Sequence, residues 1–423
     1  MELRPADRVA ILLRVFRAVQ PGNAAHHRAG GVRDGGCARS IFSWPLRPII
    51  SWVATHIFRI KTTLVFTGSG SGDKTVDWVL LFCMFAAAVV ATCVWSALDR
   101  KRANYIILHK WFYLFIRSGL AGQMLSYGFA KAIPMQMPFP YLSKLVEPYG
   151  NFSPMGVLWS SIGAFTSYEI FAGCAEILGG LLLIFPRTLF SALVCLADMT
   201  EVFMLNMTYD VPVKLLSFHL ILLSLFLLGP EIKRLVNFFF LERTTEPSSQ
   251  PKLFAMPRAN RIAFAAQMLV GLWLLGTNVY GARRDWRQFA GGSPKSELYG
   301  IWDVEQVSVD GEVRPPLLTD KERWKRAIFD FPGFASSQSM NDTFSGYYRA
   351  AIDAGKKSLV LTKNADQNWT ANFTFERQGV DEMALDGTMN NHKVQMHLRL
   401  VDRSKFLLVS RGFHWMQEYP LNR

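Results

Sequence analysis

Two stretches of this chain, Trp78 to Leu98 and Ile262 to Ala282, each run for 21 residues without a charged side chain. A helix rises ~1.5 Å per residue, so about 20 such residues cross a hydrocarbon layer ~30 Å thick. A lipid layer offers no water to the backbone, so a segment of this kind must satisfy its own N–H and C=O groups as a helix. Both are predicted to be transmembrane. Three further windows carry a few ionisable groups: Tyr105 to Tyr127, Val157 to Phe185 and Val211 to Gly229. A fourth, Thr188 to Asn206, follows its predecessor after the short turn Phe185-Pro186-Arg187. The window Ile41 to Phe58 is interrupted by Pro45 and Arg47, and either spans or lies on the membrane surface. The expected fold class is an α-helical transmembrane bundle of six to seven spans, followed by a β-domain.

The charge distribution supports this division. Residues 294–423 hold 17 Lys and Arg and 17 Asp and Glu, so the net charge of +13 sits in residues 1–293, with 29 basic and 16 acidic side chains. The basic residues lie between apolar runs, as cytoplasmic loops do, and do not form a nucleic-acid-binding patch. Asp99-Arg100-Lys101-Arg102 marks the end of the Trp78 span as cytoplasmic. Threading onward places Lys131 to Met155 outside, Pro186-Arg187 inside, Thr208 to Asp210 outside and Lys233 to Arg261 inside. The last span then delivers the C-terminal domain to the outside.

The expected domains are an irregular 1–40, a bundle over 41–241, a cytoplasmic linker over 242–261, a final transmembrane helix over 262–282, and a β-domain over 295–423. Within the first of these, Val9 to Val19 is apolar but too short to span, and Gln20 to Ser40 is rich in Gly, Ala and Arg and expected to be disordered. The five cysteines, Cys37, Cys83, Cys93, Cys174 and Cys195, form no CxxC, and four of them fall in apolar runs. This is no disulfide framework and no dithiol redox motif. No Walker A, HExxH, GxSxG or metal-ligand cluster is present. Thr67-Gly-Ser-Gly-Ser-Gly-Asp73 is superficially like a phosphate cradle, but no Lys-Ser/Thr follows it, and it is expected to be a flexible loop.

Ionisable groups inside a span are costly and face a bundle interior or cavity. Glu169, Gly173, Glu176 and Gly180 fall at i, i+4, i+7 and i+11, on one helix face. The glycines would admit a neighbouring helix, and the carboxylates would point into the bundle. They could form a proton or ligand site, or a structural ion pair with Arg117 or Lys131. Asn206, Asp210 and Lys214 are also spaced by four. Asp210-Val-Pro212 looks like a helix start, so Asp210 and Lys214 could be site residues or a cap with an i, i+4 pair. His219 could shuttle protons near neutral pH, with Asp198 or Glu201 as partner, or be a hydrogen-bonded core histidine. The candidate intramembrane polar site is thus Arg117, Lys131, Glu169, Glu176, Asn206, Asp210, Lys214 and His219. Ile133-Pro-Met-Gln-Met-Pro-Phe-Pro140 cannot be helical throughout, and is either a lid or a stiff extended loop.

Several of these residues sit in a recognisable order. Arg117-Ser-Gly-Leu-Ala121 leads to Tyr127-Gly-Phe-Ala-Lys131, then Ser153-Pro-Met-Gly156, then Phe171-Ala-Gly-Cys-Ala-Glu-Ile-Leu-Gly-Gly-Leu-Leu-Leu183. Asn206, Tyr209-Asp-Val-Pro-Val-Lys214 and His219 complete the series. From roughly Phe66 to Leu241 the chain resembles the DoxX-like family of bacterial membrane proteins. The resemblance implies a four-helix core in a bacterial inner (plasma) membrane, which would put the C-terminal domain in the periplasm. The family name comes from a subunit of a thiosulfate:quinone oxidoreductase, so quinone and a membrane redox partner are implied by the resemblance alone. Gln20 to Ser40 departs from the family, which would place a clean first span there.

From Gly300 onward the pattern changes to short alternating segments. Trp302 to Val309, Ala327 to Phe331, Ser358 to Thr362, Trp369 to Phe375, Lys393 to Val401 and Lys405 to Ser410 read as strands, with turns at Asp310-Gly311, Asp386-Gly387 and Asn390-Asn391. An antiparallel up-and-down barrel is expected. Gly300-Ile-Trp302 and Arg411 resemble the lipocalin-like (calycin) pattern, in which a Trp closes the barrel bottom and a late Arg stacks across it. Such a barrel could hold a small apolar ligand or be packed by its own side chains.

The functional expectation is a DoxX-like membrane component linked to quinone or redox chemistry. The alternatives are a non-enzymatic carrier of an apolar or lipid-like molecule and a structural subunit of a complex. Whether the chain is an enzyme stays open.

Overall fold

The computed structural model of the chain describes residues 45–100, 104–185, 188–247, 253–363, 366 and 368–422. The irregular segment expected over 1–40, the start of the Ile41 window, the basic pair Lys101 and Arg102, and Pro186-Arg187 lie outside the described residues. Two compact units emerge: Met1–Ile133 with Ile170–Arg283, and Pro134–Glu169 with Arg284–Arg423.

The first unit is helical. Its helices are α1 (Arg47–His56), α2 (Thr75–Leu98), α3 (Ile106–Ala132), α6 (Thr166–Ile184), α7 (Thr188–Thr208), α8 (Lys214–Leu228), α9 (Ile232–Phe239) and α10 (Pro257–Phe289), while α4 (Leu142–Val146) and α5 (Pro154–Ala164) belong to the second unit. Among the described residues, five helices are long and apolar enough to cross a membrane: Thr75–Leu98, Thr166–Ile184, Leu189–Thr208, Lys214–Phe239 and Pro257–Phe289. The chain is an integral membrane protein by these spans. Helix α1 has ten residues, about 15 Å, and cannot cross alone. The window expected over Val157 to Phe185 is two helices, broken at Phe165, whose ψ of 79° leaves the helical region. Only the second half is a candidate span.

Helix α3 is long enough, with 27 residues, but His109, Lys110, Arg117 and Lys131 keep it out of that set of five. A contact within the helical unit bears on its placement. Gly72 N–H donates to Pro212 C=O (2.8 Å), so the loop before α2 meets the loop after α7. An even number of crossings must separate two loops on one side. If the candidate spans α2, α6 and α7 all cross, α3 is the fourth.

The helix core gathers Leu120, Met124, Leu183, Cys195, Met199 and Leu227. Side chains such as Phe85, Val90 and Leu98 are exposed on α2, as lipid-facing positions should be.

In the second unit, the chain after residue 299 folds into a closed antiparallel barrel of eight strands. They are β1 (Gly300–Val309), β3 (Trp324–Phe329), β4 (Phe334–Ser339), β5 (Phe344–Asp353), β6 (Ser358–Lys363), β7 (Thr370–Arg377), β8 (Glu382–Met389) and β9 (His392–Leu400), with the two-residue β2 (Glu312–Val313) appended to β1. Each strand pairs with the next, and β9 returns to β1 from Trp302↔Leu400 to Val309↔Val394. Alternation drives closure: on β7, Ala371, Phe373 and Phe375 are buried while Thr370, Asn372 and Thr374 face out. Twenty buried side chains, Trp302, Trp324, Phe329, Tyr348, Phe373 and Met383 among them, form one continuous interior cluster. The barrel is packed by its own side chains.

Several sequence expectations are corrected here. Lys405 to Ser410 is not a strand but a 3-10 turn, Arg403–Lys405, followed by one helical turn, α11 (Leu407–Ser410). Asp386-Gly387 is not a turn but the middle of β8. A Cβ at Gly387 would lie 2.0 Å from Asn372 C=O, so this glycine admits the neighbouring strand. Strands β4 and β5 were not expected. The turns at Asp310-Gly311 and Asn390-Asn391 do form, with positive φ at all four residues, as two-residue hairpins require.

Residues 141–146 pack on the outside of the barrel. Leu142 joins Ile301 and Ile328 in a buried cluster, its N–H donates to Asp330 Oδ1 (3.0 Å), and Gln338 Nε2 donates to Val146 C=O (3.1 Å). The Pro-rich segment Ile133 to Pro140 is non-helical from Pro134 onward, as its prolines require.

Candidate intramembrane site

The close approach of α3 and α6 is a consequence of glycine. A Cβ on Gly173 would lie 2.3 Å from Ala132 N and 2.6 Å from Gly128 C=O, and one on Gly128 would lie 2.8 Å from Ile177 N. Any larger residue would force the backbones apart. At this crossing Lys131, in the last turn of α3, meets Glu176, one turn beyond Gly173. Lys131 Nζ lies 2.6 Å from Glu176 Oε1, and their side chains are only 8% and 3% exposed. The ammonium also sits 5.8 Å from the Tyr127 ring centroid.

A second carboxylate is half-buried nearby. Asp198 on α7 interacts electrostatically with Glu176, Glu201 and Lys131. Helices α6 and α7 are held together beside it, where Cys195 Sγ lies 3.0 Å from the Cβ position of Gly179. Glu176 Oε2 and Asp198 Oδ2 are buried without a hydrogen-bond partner. An unpaired carboxylate oxygen in an apolar layer is expensive. Chemically, the site is a buried ion pair on α3 and α6, with a further carboxylate, Asp198, on α7.

The other candidate residues go elsewhere. Glu169 accepts from the N–H of Met137 (2.9 Å) within the second unit. Arg117 donates to Gln267 Oε1 (2.6 Å), not to a carboxylate. Asn206 Nδ2 donates to Ser217 Oγ (3.1 Å). Lys214 pairs with Asp210 (2.8 Å), whose side chain is largely exposed. His219 Nδ1 lies 2.6 Å from Leu215 C=O, one turn back on its own helix. The eight residues therefore do not converge on one site, and of them only Lys131 and Glu176 meet inside the bundle.

Asp210 does not cap the following helix, which begins at Lys214. Asp73 does so instead: its carboxylate accepts from the N–H groups of Lys214 (2.8 Å) and Leu215 (2.9 Å), so the Gly/Ser loop before α2 is tied down. Asp73 and Asp198 are the two residues whose role here sequence reading missed. Neither has a local signal, because the partners of each lie on remote segments.

In the barrel, Trp302 is fully buried and donates from Nε1 to Leu298 C=O (2.9 Å). The cation over its ring is Arg377 of β7, at 5.7 Å, rather than Arg411. Arg411 follows α11 and bonds His414 and Gln417. Because 405–410 is not a strand, Arg411 is not carried across the barrel floor. Arg323, almost fully buried, donates to the carbonyls of Arg314, Val304 and Glu305, satisfying the bulge in β1.

Among the described residues no group of three or more His, Cys, Asp or Glu is arranged to hold a metal ion. Compared with protein-family models, with curated proteins and with solved structures, the chain gives no match.

Proposed function

We propose that the chain is a DoxX-like membrane component in which Lys131, Glu176 and Asp198 take up and release a proton within the bilayer, linked to quinone or redox chemistry. The observation that carries this reading is the buried Lys131–Glu176 pair, with an unpartnered oxygen on Glu176 and another on Asp198. Reduction of a quinone to a quinol takes two electrons and two protons. The cluster would donate protons, and a membrane redox partner would supply the electrons. Lys131 offers an ammonium donor to a carbonyl oxygen in an apolar layer, and the carboxyl groups offer the proton, so the donor set suits such a molecule.

The carrier alternative is weakened for the barrel, whose interior is filled by side chains, and would have to operate through the bundle. The structural-subunit alternative keeps the outer surface of the barrel as its binding face. The basic segments around Arg100 and Arg243 favour a cytoplasmic location for those loops and a periplasmic one for the barrel.

The test is infrared difference spectroscopy of the purified protein in nanodiscs, alongside quinone-reduction assays with an electron donor. A protonated-carboxyl band that titrates, and is lost in Glu176→Gln together with turnover, supports the reading. No titrating band, and turnover indifferent to Glu176→Gln, would overturn it.

A further inference from the structure

The segment that follows the barrel is chemically unusual for a chain in water. After Phe406, which is packed with Val401 against Leu142 and Ile301, the polypeptide leaves the core. Leu407 and Leu408 are about half exposed, and Phe413, Trp415, Met416 and Tyr419 are exposed by 81%, 87%, 83% and 85%. Isolated apolar side chains on a surface need no explanation, but a run this dense requires an occupant. Trp, Tyr and Phe interleaved with basic residues is the composition of a membrane–water interface, where aromatic rings sit at headgroup depth. Residues 401–423 hold four basic and two acidic side chains. Among the basic ones, Lys405 and Arg411 bracket Phe406 to Ser410 and precede the aromatic run, which itself contains Glu418.

Connectivity fixes where this segment starts. The last turns of α10 carry Arg283, Arg284, Trp286 and Arg287, which is itself an interfacial sequence. Nine residues separate Phe289 from Tyr299, ten Cα–Cα steps with a reach of at most ~35 Å. Tyr299 is held between the linker and the segment: Lys295 lies 4.7 Å from its ring and Arg403 5.7 Å, while Arg403 Nη1 donates to its hydroxyl (3.1 Å). Trp302↔Leu400 pairing puts the same two stretches at one end of the barrel. The segment thus leaves the barrel at the end from which the chain connects to its last transmembrane helix.

We propose that residues 407–422 lie in the interface of the bilayer the chain spans, with Phe413, Trp415, Met416 and Tyr419 among the lipid headgroups and Lys405 and Arg411 facing anionic phosphates. The occupant of this apolar surface is the lipid surface, within reach by covalent connection, with Arg403, Lys405 and Arg411 at the start of the segment. The segment forms a second, reversible anchor for the barrel beside the α10 tether.

The experiment uses the full chain in nanodiscs of mixed phosphatidylglycerol and phosphatidylcholine. A nitroxide is attached at Met416→Cys in a background with the native cysteines replaced, and collisions with oxygen and with a water-soluble nickel chelate are compared. A label at Lys356→Cys, on an exposed hairpin, is the aqueous reference. Oxygen access exceeding nickel access at 416, and increasing with the anionic lipid fraction, is the expected result. Nickel access equal to that at 356 would overturn the proposal. So would low access to both reagents, which would mean that protein, a second copy or another chain, covers the segment. Should the cysteine-free background fail to fold, tryptic cleavage after Arg411 in the unaltered protein serves instead. Cleavage about tenfold slower in anionic nanodiscs than in detergent is expected, because proteolysis follows the open population. Equal rates would overturn it.

Discussion

Lys131 and Glu176 illustrate how a buried charge depends on its partner. Removing one leaves the other uncompensated, which costs ~3–5 kcal/mol, whereas replacing both by apolar residues of similar size is close to neutral. Lys131→Met alone should therefore lower thermal stability in detergent sharply, and the double variant Lys131→Met with Glu176→Leu should recover most of it. A double variant as unstable as the single one would show that the pair is not isolated from other polar groups. In the barrel, burial pushes the Tyr348 phenol above its ordinary range, against hydrogen bonds involving Ser337 and Trp324 that pull it down. A raised folded pKa means the associated stability is complete below the unfolded value of ~10 and is lost as pH rises through the folded one. Tyr348→Phe should cost about 1 kcal/mol at neutral pH through the lost bond to Ser337, yet lose less stability than the parent above pH ~10. Alkaline unfolding followed by near-ultraviolet circular dichroism reads both. At this scale the sequence was half legible. Glu176 and Lys131 stood out as ionisable groups in apolar runs, but Arg117 and His219 stood out equally and are satisfied by Gln267 and a backbone carbonyl. Which polar residue meets which is decided by helix rotation, which a single sequence does not encode locally.

Helices were legible where composition alone decides, as in Thr75–Leu98, and strands where alternation is clean, as in Thr370–Arg377. Strand β4 was hidden because both of its faces are covered by polar contacts: Ser337 bonds Tyr348 inside (2.9 Å) and Gln338 bonds Val146 outside. Its buried Ser336, Ser337, Gln338 and Ser339 read as a loop. Helix packing yields a sharper test. Gly173→Leu should separate α3 from α6 and break the Lys131–Glu176 pair, lowering melting temperature and removing any titrating carboxyl band. Gly122→Ala, on the same α3 but with open space at its Cβ position, should be neutral or stabilise by up to about 1 kcal/mol. Equal damage from both would remove the close helix crossing as the cause. Asp73 caps α8 from a remote loop, so Asp73→Ala should cost ~1 kcal/mol and free the Gly/Ser loop to faster hydrogen exchange.

For the whole molecule, contacts inside each unit restrict how often the chain crosses the bilayer. The loop at Gly72 and Asp73 meets the start of α8, which requires an even number of crossings between them and, if α2, α6 and α7 all cross, makes α3 the fourth. Separately, residues 142–146 pack on the barrel, and four membrane-capable helices, Thr166–Ile184, Leu189–Thr208, Lys214–Phe239 and Pro257–Phe289, lie between those two segments in the chain. Four is again even, so residues 134–165 and the barrel share a side. Helix α3, read from the sequence as the span Tyr105 to Tyr127, carries Arg117 and Lys131, each with its polar partner within the bundle. Single cysteines at Gly68, Gly150 and Lys356, in a background without the native ones, should all react with a membrane-impermeant maleimide added to the same side of sealed vesicles. One at Arg243 should react only after the vesicles are opened or inverted. Labelling of Gly68→Cys and Lys356→Cys from opposite sides would mean that α3 does not cross, and that the contact between Asp73 and α8 does not exist in the membrane.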